Sequence, residues 1–179
     1  MAHLNQRSLF LGWRHYQGTR TIQVAGRSMA PILLPGDHIR VAHTPPSAIL
    51  AGDIVVAVWK GELIAHRLTA ITSDDGRTRF ILKGDRSASY ESVHEDELLG
   101  RVVGGSRDGK DLALDDPVVR GLGRVAARLG RGLFALVGPN HLSGASPDPP
   151  SVWTTLIIKS VNRIQGLVVT TILALRRCP

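Results

Sequence analysis

The chain has one cysteine, Cys178, beside its C-terminal end. A lone thiol excludes an internal disulfide and is compatible with a reducing compartment. Aromatic residues make up only 4% of the 179 residues, so the stacking platforms of single-strand nucleic-acid binders are missing. No nucleic-acid-binding motif is recognised either, and nucleic acid is not the expected partner. The histidines lack ligand spacing, so neither a metal nor another cofactor is expected. Long apolar runs are also missing at the start. "MAHLNQRSLFLGWRHYQGTR" offers only a short apolar run around Leu9 and Phe10 before Trp13 and Arg14. That is too short for a signal-peptide core or a membrane span. The expected location is cytoplasmic, with peripheral attachment to the inner face of the membrane as an option.

Acidic residues nearly vanish from the C-terminal third. Residues 1–116 balance 14 Lys+Arg against 14 Asp+Glu, whereas residues 117–179 set 8 Lys+Arg against Asp148 alone. The second part therefore carries the whole formal charge of +7. A neutral body with a basic extension points to an anionic surface as partner.

What is present fits a globular chain: 43% hydrophobic and 21% charged residues, at a length that supports one domain with a core. From about residue 20 to 104, short β-branched stretches alternate with Gly and Asp punctuation. "TIQVAG", "DHIRVAH", "DIVVAVWKGELIAHRLTAI", "TRFILKGD" and "LLGRVVGG" read as strands, with Lys60-Gly61 as a tight turn. The expected fold class is mainly β: a compact antiparallel body with a basic, two-helix C-terminal extension. The expected division is an N-terminal segment over 1–20, the β domain over 21–116, a basic amphipathic helix over 117–138, a linker over 139–150 and a second amphipathic helix over 151–179.

In the first helix Arg120, Arg124, Arg128 and Arg131 share one face, and Val118, Leu122, Val125, Leu129 and Leu133 gather elsewhere on the wheel. The second helix aligns Trp153, Ile157, Val161, Ile164, Val168 and Ile172, interrupted by Lys159, Asn162, Arg163 and Gln165. Charges near the middle speak against a spanning helix. Two expectations stand side by side: the arginines face an anionic membrane, or the apolar faces pack on each other and on the β body.

The chemistry is carried by "VAGRSMAPILLPGDHIRV", "AGDIVVAVWKGELIAHRLTAI" and "FILKGDRSASYESVHEDELLGRVV". Taken alone, Ser28 between Gly26 and Pro31 is either a reactive hydroxyl on a rigid bend or an ordinary loop residue. The ordered series Ser-Met-x-Pro, Gly-Asp-Ile-Val-Val, His-Arg, Lys-Gly-Asp and Gly-Arg-Val resembles the signal peptidase I family. It also resembles the wider group sharing that catalytic β fold, which includes the self-cleaving repressors of the DNA-damage response. The resemblance runs from about Ile22 to Val103. His66 followed by Arg67 is similar to the serine–histidine branch of archaeal, endoplasmic-reticulum and sporulation-type enzymes, and Lys83, Gly84 and Asp85 match the Lys-Gly-Asp of that branch.

The resemblance implies a serine endopeptidase that cleaves an extended leader or precursor peptide. A serine hydroxyl needs a base to remove its proton, and an imidazole can take that proton and later deliver it to the leaving amine. The expected catalytic residues are Ser28 as nucleophile, His66 as base and Asp85 as the carboxylate orienting the imidazole. The branch usually carries a second acid after Lys-Gly-Asp; Glu91 stands near that place, and Asp96 lies farther along. Lys83 is expected to be a structural or charge-balancing residue. Met29, Gln23 and Val24 are expected to line the substrate groove, with the peptide added as a strand near "TIQVAG". The alternative is a peptide-binding regulatory module that cleaves nothing or only itself, or a membrane-surface adaptor. Self-cleavage needs a scissile pair in a tether, and Ala25-Gly26 within the body is a poor candidate.

Overall fold

Three two-residue turns organise the strands. Lys60-Gly61, Asp75-Gly76 and Asp108-Gly109 each have positive φ at both positions, the conformation whose twist matches an antiparallel hairpin and which favours Gly second. The computed structural model of the chain describes residues 12–13 and 18–137. The expected linker and second helix lie outside the described residues.

The strands are β1 (Thr19–Gln23), β2 (His38–Ala42), β3 (Ile54–Trp59), β4 (Glu62–Asp74), β5 (Arg77–Lys83), β6 (Tyr90–His94), β7 (Leu98–Arg107) and β8 (Lys110–Leu112). They form one antiparallel sheet in the order β1-β2-β7-β3-β4-β5-β6, with β8 on β7. The mainly β, antiparallel expectation holds. Central β3 is apolar throughout its first four residues because both of its faces are covered. Ile54 and Val56 join Met29, Leu33 and Ile39 in one core cluster, while Val55 and Ala57 join Leu68, Phe80 and Leu82 in another. Burying each large side chain contributes roughly 1.5–3 kcal/mol.

Helix α1 (Pro117–Val137) follows the sheet. Pro117 supplies the fixed φ that suits a first helical turn, and Asp116 Oδ1 accepts the Val118 amide at 2.8 Å. The helix meets the body mainly along β4, but Val118, Val125 and Leu129 of the expected row stay exposed. Its inward face is Gly123, Ala127, Gly130 and Phe134: Ala127 is buried, and Phe134 packs on the cluster of Ala70, Ile81 and Tyr90. A Cβ at Gly123 would lie 2.6 Å from both Arg67 Nη1 and the Gly52 carbonyl oxygen, and one at Gly130 would lie 3.1 Å from Thr69 Cγ2. Small residues let the helix backbone approach the sheet, so the bulkier Val118, Val125 and Leu129 are left exposed. Among the described residues no helix is long and apolar enough to cross a membrane.

Candidate active site

Ser28 opens a turn between β1 and β2 that is tied down at both ends. The Leu33 amide donates to the Met29 carbonyl, and the Val24 amide donates to the Asp37 carbonyl. Asp37 itself is buried; it accepts the Leu34 amide at 2.7 Å and pairs with both Nε and Nη2 of Arg107 at 2.7 Å. Burial pushes this carboxyl up, but the bonds and charge of Arg107 and the Leu34 amide outweigh it and hold Asp37 below the usual carboxylate range. What reads as a turn aspartate in "LLPGD" thus anchors the serine loop to β7.

His66 comes from β4 and Glu91 from β6. His66 Nε2 lies 2.8 Å from Ser28 Oγ, and His66 Nδ1 lies 2.9 Å from Glu91 Oε2. Both His66 and Glu91 are buried, so water competes little for these bonds. Ser89 Oγ donates to the other Glu91 oxygen at 3.5 Å. The three functional groups therefore form a chain of hydroxyl, imidazole and carboxylate.

Asp85 is not part of that chain. Its two oxygens accept Arg67 Nε at 2.8 Å and Arg67 Nη2 at 2.7 Å, and Arg67 Nη1 donates to the Gly52 carbonyl at 2.8 Å. The expected role for Asp85 as the partner of His66 is thus corrected: the carboxylate on the imidazole is Glu91. Strand alternation is the reason. His66 and Arg67 are neighbours on β4 and point to opposite faces, and Asp85 lies on the arginine side. Burial lowers the affinity of Arg67 for its proton, yet the charge and bonds of Asp85 more than compensate and raise its pKa further. The pairing of "HR" with "KGD" in the sequence is thereby explained as charge complementarity, a signal that opposite charges in two flanking motifs offered from the start.

The remaining residues of Lys-Gly-Asp also have physical roles. Gly84 sits against Ser28: a Cβ there would lie 2.8 Å from Ser28 Cβ and 2.9 Å from the Ser28 carbonyl oxygen. The Arg86 amide donates to that carbonyl at 2.7 Å. Lys83 is buried, and Nζ donates to the Gly84 carbonyl at 3.2 Å. Burial lowers its ammonium to about 8, against the opposing pull of Asp85 and Glu91.

Helix α1 backs this arrangement. Glu91 and Tyr90 are neighbours on β6, as His66 and Arg67 are on β4. Tyr90 Oη donates to the Gly130 carbonyl at 2.7 Å, and its ring stands 5.1 Å from that of Phe134. Arg67 lies against Gly123. The residue next to the imidazole and the residue next to its carboxylate are each held by the helix.

A groove of about 440 Å³ opens beside Ser28 and His66. Ile22, Val24, Met29 and Leu33 form one side, and Leu63, Ile64 and Ala65 form the other. Gln23, Val24 and Met29 all line it. Among the described residues, strand β1 pairs only with β2, and β4 pairs with β5 only from Arg67 onward. Among the described residues, β1 and the Glu62–His66 stretch of β4 each keep one edge without a strand partner. Among the described residues no group of three or more His, Cys, Asp or Glu side chains forms a metal-binding cluster.

No curated protein matches the chain. A family model does: residues 4–103 match that of the Peptidase S24-like family. That match takes in the serine turn, the His66 strand and the Glu91 strand and spans more than half of the chain, so the chain belongs to the Peptidase S24-like family.

Proposed function

We propose that this protein is a serine endopeptidase that cleaves an extended peptide by a Ser28–His66–Glu91 mechanism. The observation that carries the reading is the continuous contact from Ser28 Oγ through the imidazole to Glu91 Oε2, at 2.8 and 2.9 Å. Ser28 Oγ attacks the scissile carbonyl while His66 Nε2 takes its proton. Glu91 accepts the Nδ1–H, fixes the tautomer and stabilises the imidazolium that forms. The proton is then delivered from Nε2 to the leaving amine, and water repeats the sequence on the acyl-enzyme. Backbone amides of the Ser28 turn are the candidates to donate to the oxyanion.

The substrate enters as an added strand between β1 and the start of β4, whose unpaired edges supply backbone hydrogen bonds while the apolar walls receive alternate side chains. Resemblance to the signal peptidase I family suggests small side chains around the cleaved bond.

Cleavage of a separate polypeptide is favoured over self-cleavage at Ala25-Gly26. The Val24 amide and carbonyl are bonded to Asp37 and Gly36, so this stretch serves as a groove wall.

The test is cleavage of a mixed library of extended peptides by the full chain, read by mass spectrometry. Ser28→Ala and His66→Ala should each abolish cleavage with unchanged circular dichroism. Retained cleavage in both folded variants refutes the hydrolase reading; fragmentation of the wild-type chain alone, blocked by Ser28→Ala, would transfer the chemistry to self-cleavage.

A further inference from the structure

We propose that the outer face of α1 is a docking surface for an anionic lipid bilayer. At about 100° per residue, the helix divides into three sectors. Gly123, Ala127, Gly130 and Phe134 form the sector welded to the sheet. Val118, Val125 and Leu129 fall within about 40° of one another, centred roughly 150° away from that sector. These three are exposed by 40%, 49% and 46%. Arg124, Arg128 and Arg131, all exposed, occupy the flank between, and α1 has no acidic residue.

Charge selects among the possible occupants. A second copy placed stripe to stripe with its helix antiparallel would bring two arginine flanks together. The chain beyond the described residues carries Lys159, Arg163, Arg176 and Arg177 against Asp148 alone, so it shares the sign of the flank. A nucleic acid would satisfy the arginines and leave the apolar stripe in water. An anionic interface satisfies both, because acyl chains take the valines and leucine while long arginine stems reach the headgroups. Spanning is excluded for α1 by its polarity, with four arginines in its 21 residues, so the helix lies in the interface. His66 and Arg67 point to opposite faces of β4, and α1 covers the Arg67 side, so docking leaves the groove uncovered.

The test is sedimentation of the full chain with vesicles of phosphatidylcholine alone or with about one third phosphatidylglycerol. Wild type is expected to pellet only with the anionic vesicles. Each arginine near such a surface contributes roughly fivefold in binding, so R124Q/R128Q/R131Q should weaken it by about a hundredfold. V125Q/L129Q should also release the protein, with thermal unfolding unchanged. Failure of wild type to bind anionic vesicles overturns the proposal, as does unchanged binding in both variants. Dissociation of a dimer by V125Q/L129Q would assign the face to a second copy. A lowered melting temperature with intact vesicle binding would assign it to the chain's own remaining residues. Either outcome refutes the lipid surface.

Discussion

Arg67 and Asp85 form a two-pronged ion pair on the opposite side of β4 from the groove, at 2.8 and 2.7 Å. The arginine is 4% exposed in its side chain and the carboxylate 14%, so each depends on the other for its solvation. The pair holds the Lys-Gly-Asp loop against β4, and that loop in turn contacts Ser28 through Gly84. Breaking one side of such a buried pair typically costs ~3–5 kcal/mol. Arg67→Met or Asp85→Leu should therefore lower unfolding stability by about that amount, and the double replacement should cost less than the sum. Urea denaturation of the four proteins measures the coupling; additive losses would contradict it.

Glu91→Gln addresses the imidazole directly. The amide fits the same space but cannot stabilise the imidazolium, and it favours the wrong tautomer. Turnover should fall by about 10²- to 10⁴-fold with KM little changed. Asp85→Asn, assayed at a temperature where it stays folded, should retain much more activity. The reverse ranking would return the orienting role to Asp85.

Gly84→Ala places a methyl 2.8 Å from Ser28 Cβ, where the Gly84 backbone and the Ser28 side chain cannot both stay in place. Overpacking of this kind costs ~1–3 kcal/mol. The more sensitive readout is catalysis, because a displaced Oγ loses its bond to His66. A drop of at least about tenfold in turnover is expected for an ångström-scale shift. Full activity would mean that the loop yields without moving the serine.

Lys83 gives a pH signature. Burial lowers its folded-state pKa to about 8, whereas the unfolded chain holds the proton up to the ordinary lysine value near 10.4. The unfolded state then binds more protons between these limits, so this group makes stability rise with pH across that window. Below about pH 8 both states are protonated and its contribution is constant. The stability of wild type minus that of Lys83→Met should be flat below pH 8 and climb above it, by at most ~1.4 kcal/mol per pH unit. A flat difference up to pH 10 would contradict the burial argument.

Asp37 has the opposite logic at acid pH. Its folded-state pKa is lowered by Arg107 and the Leu34 amide despite burial. Its stabilisation is complete above the unfolded carboxyl value of about 3.9 and fades as pH falls through the lower folded value. Asp37→Asn should destabilise the protein at neutral pH and flatten its acid-unfolding curve. Equal acid sensitivity in the two proteins would refute this assignment.

The linear chain was enough to specify the strands and their turns. β-branched runs, Gly at the second hairpin position and Pro117 after an aspartate are local preferences that act over a few residues. Ser28 and His66 were legible because each sits in a short motif whose neighbours constrain it. The choice between Asp85 and Glu91 was not legible, since both carboxylates follow His66 closely in sequence and only strand alternation and sheet register decide which one reaches the imidazole. The role of α1 was equally hidden. Its amphipathic pattern pointed to the valine and leucine row, but close approach at Gly123 and Gly130 chose another face, because helix docking depends on the shape of the surface it meets. Sequence determined which elements form; the tertiary fold decided which side chains share a site.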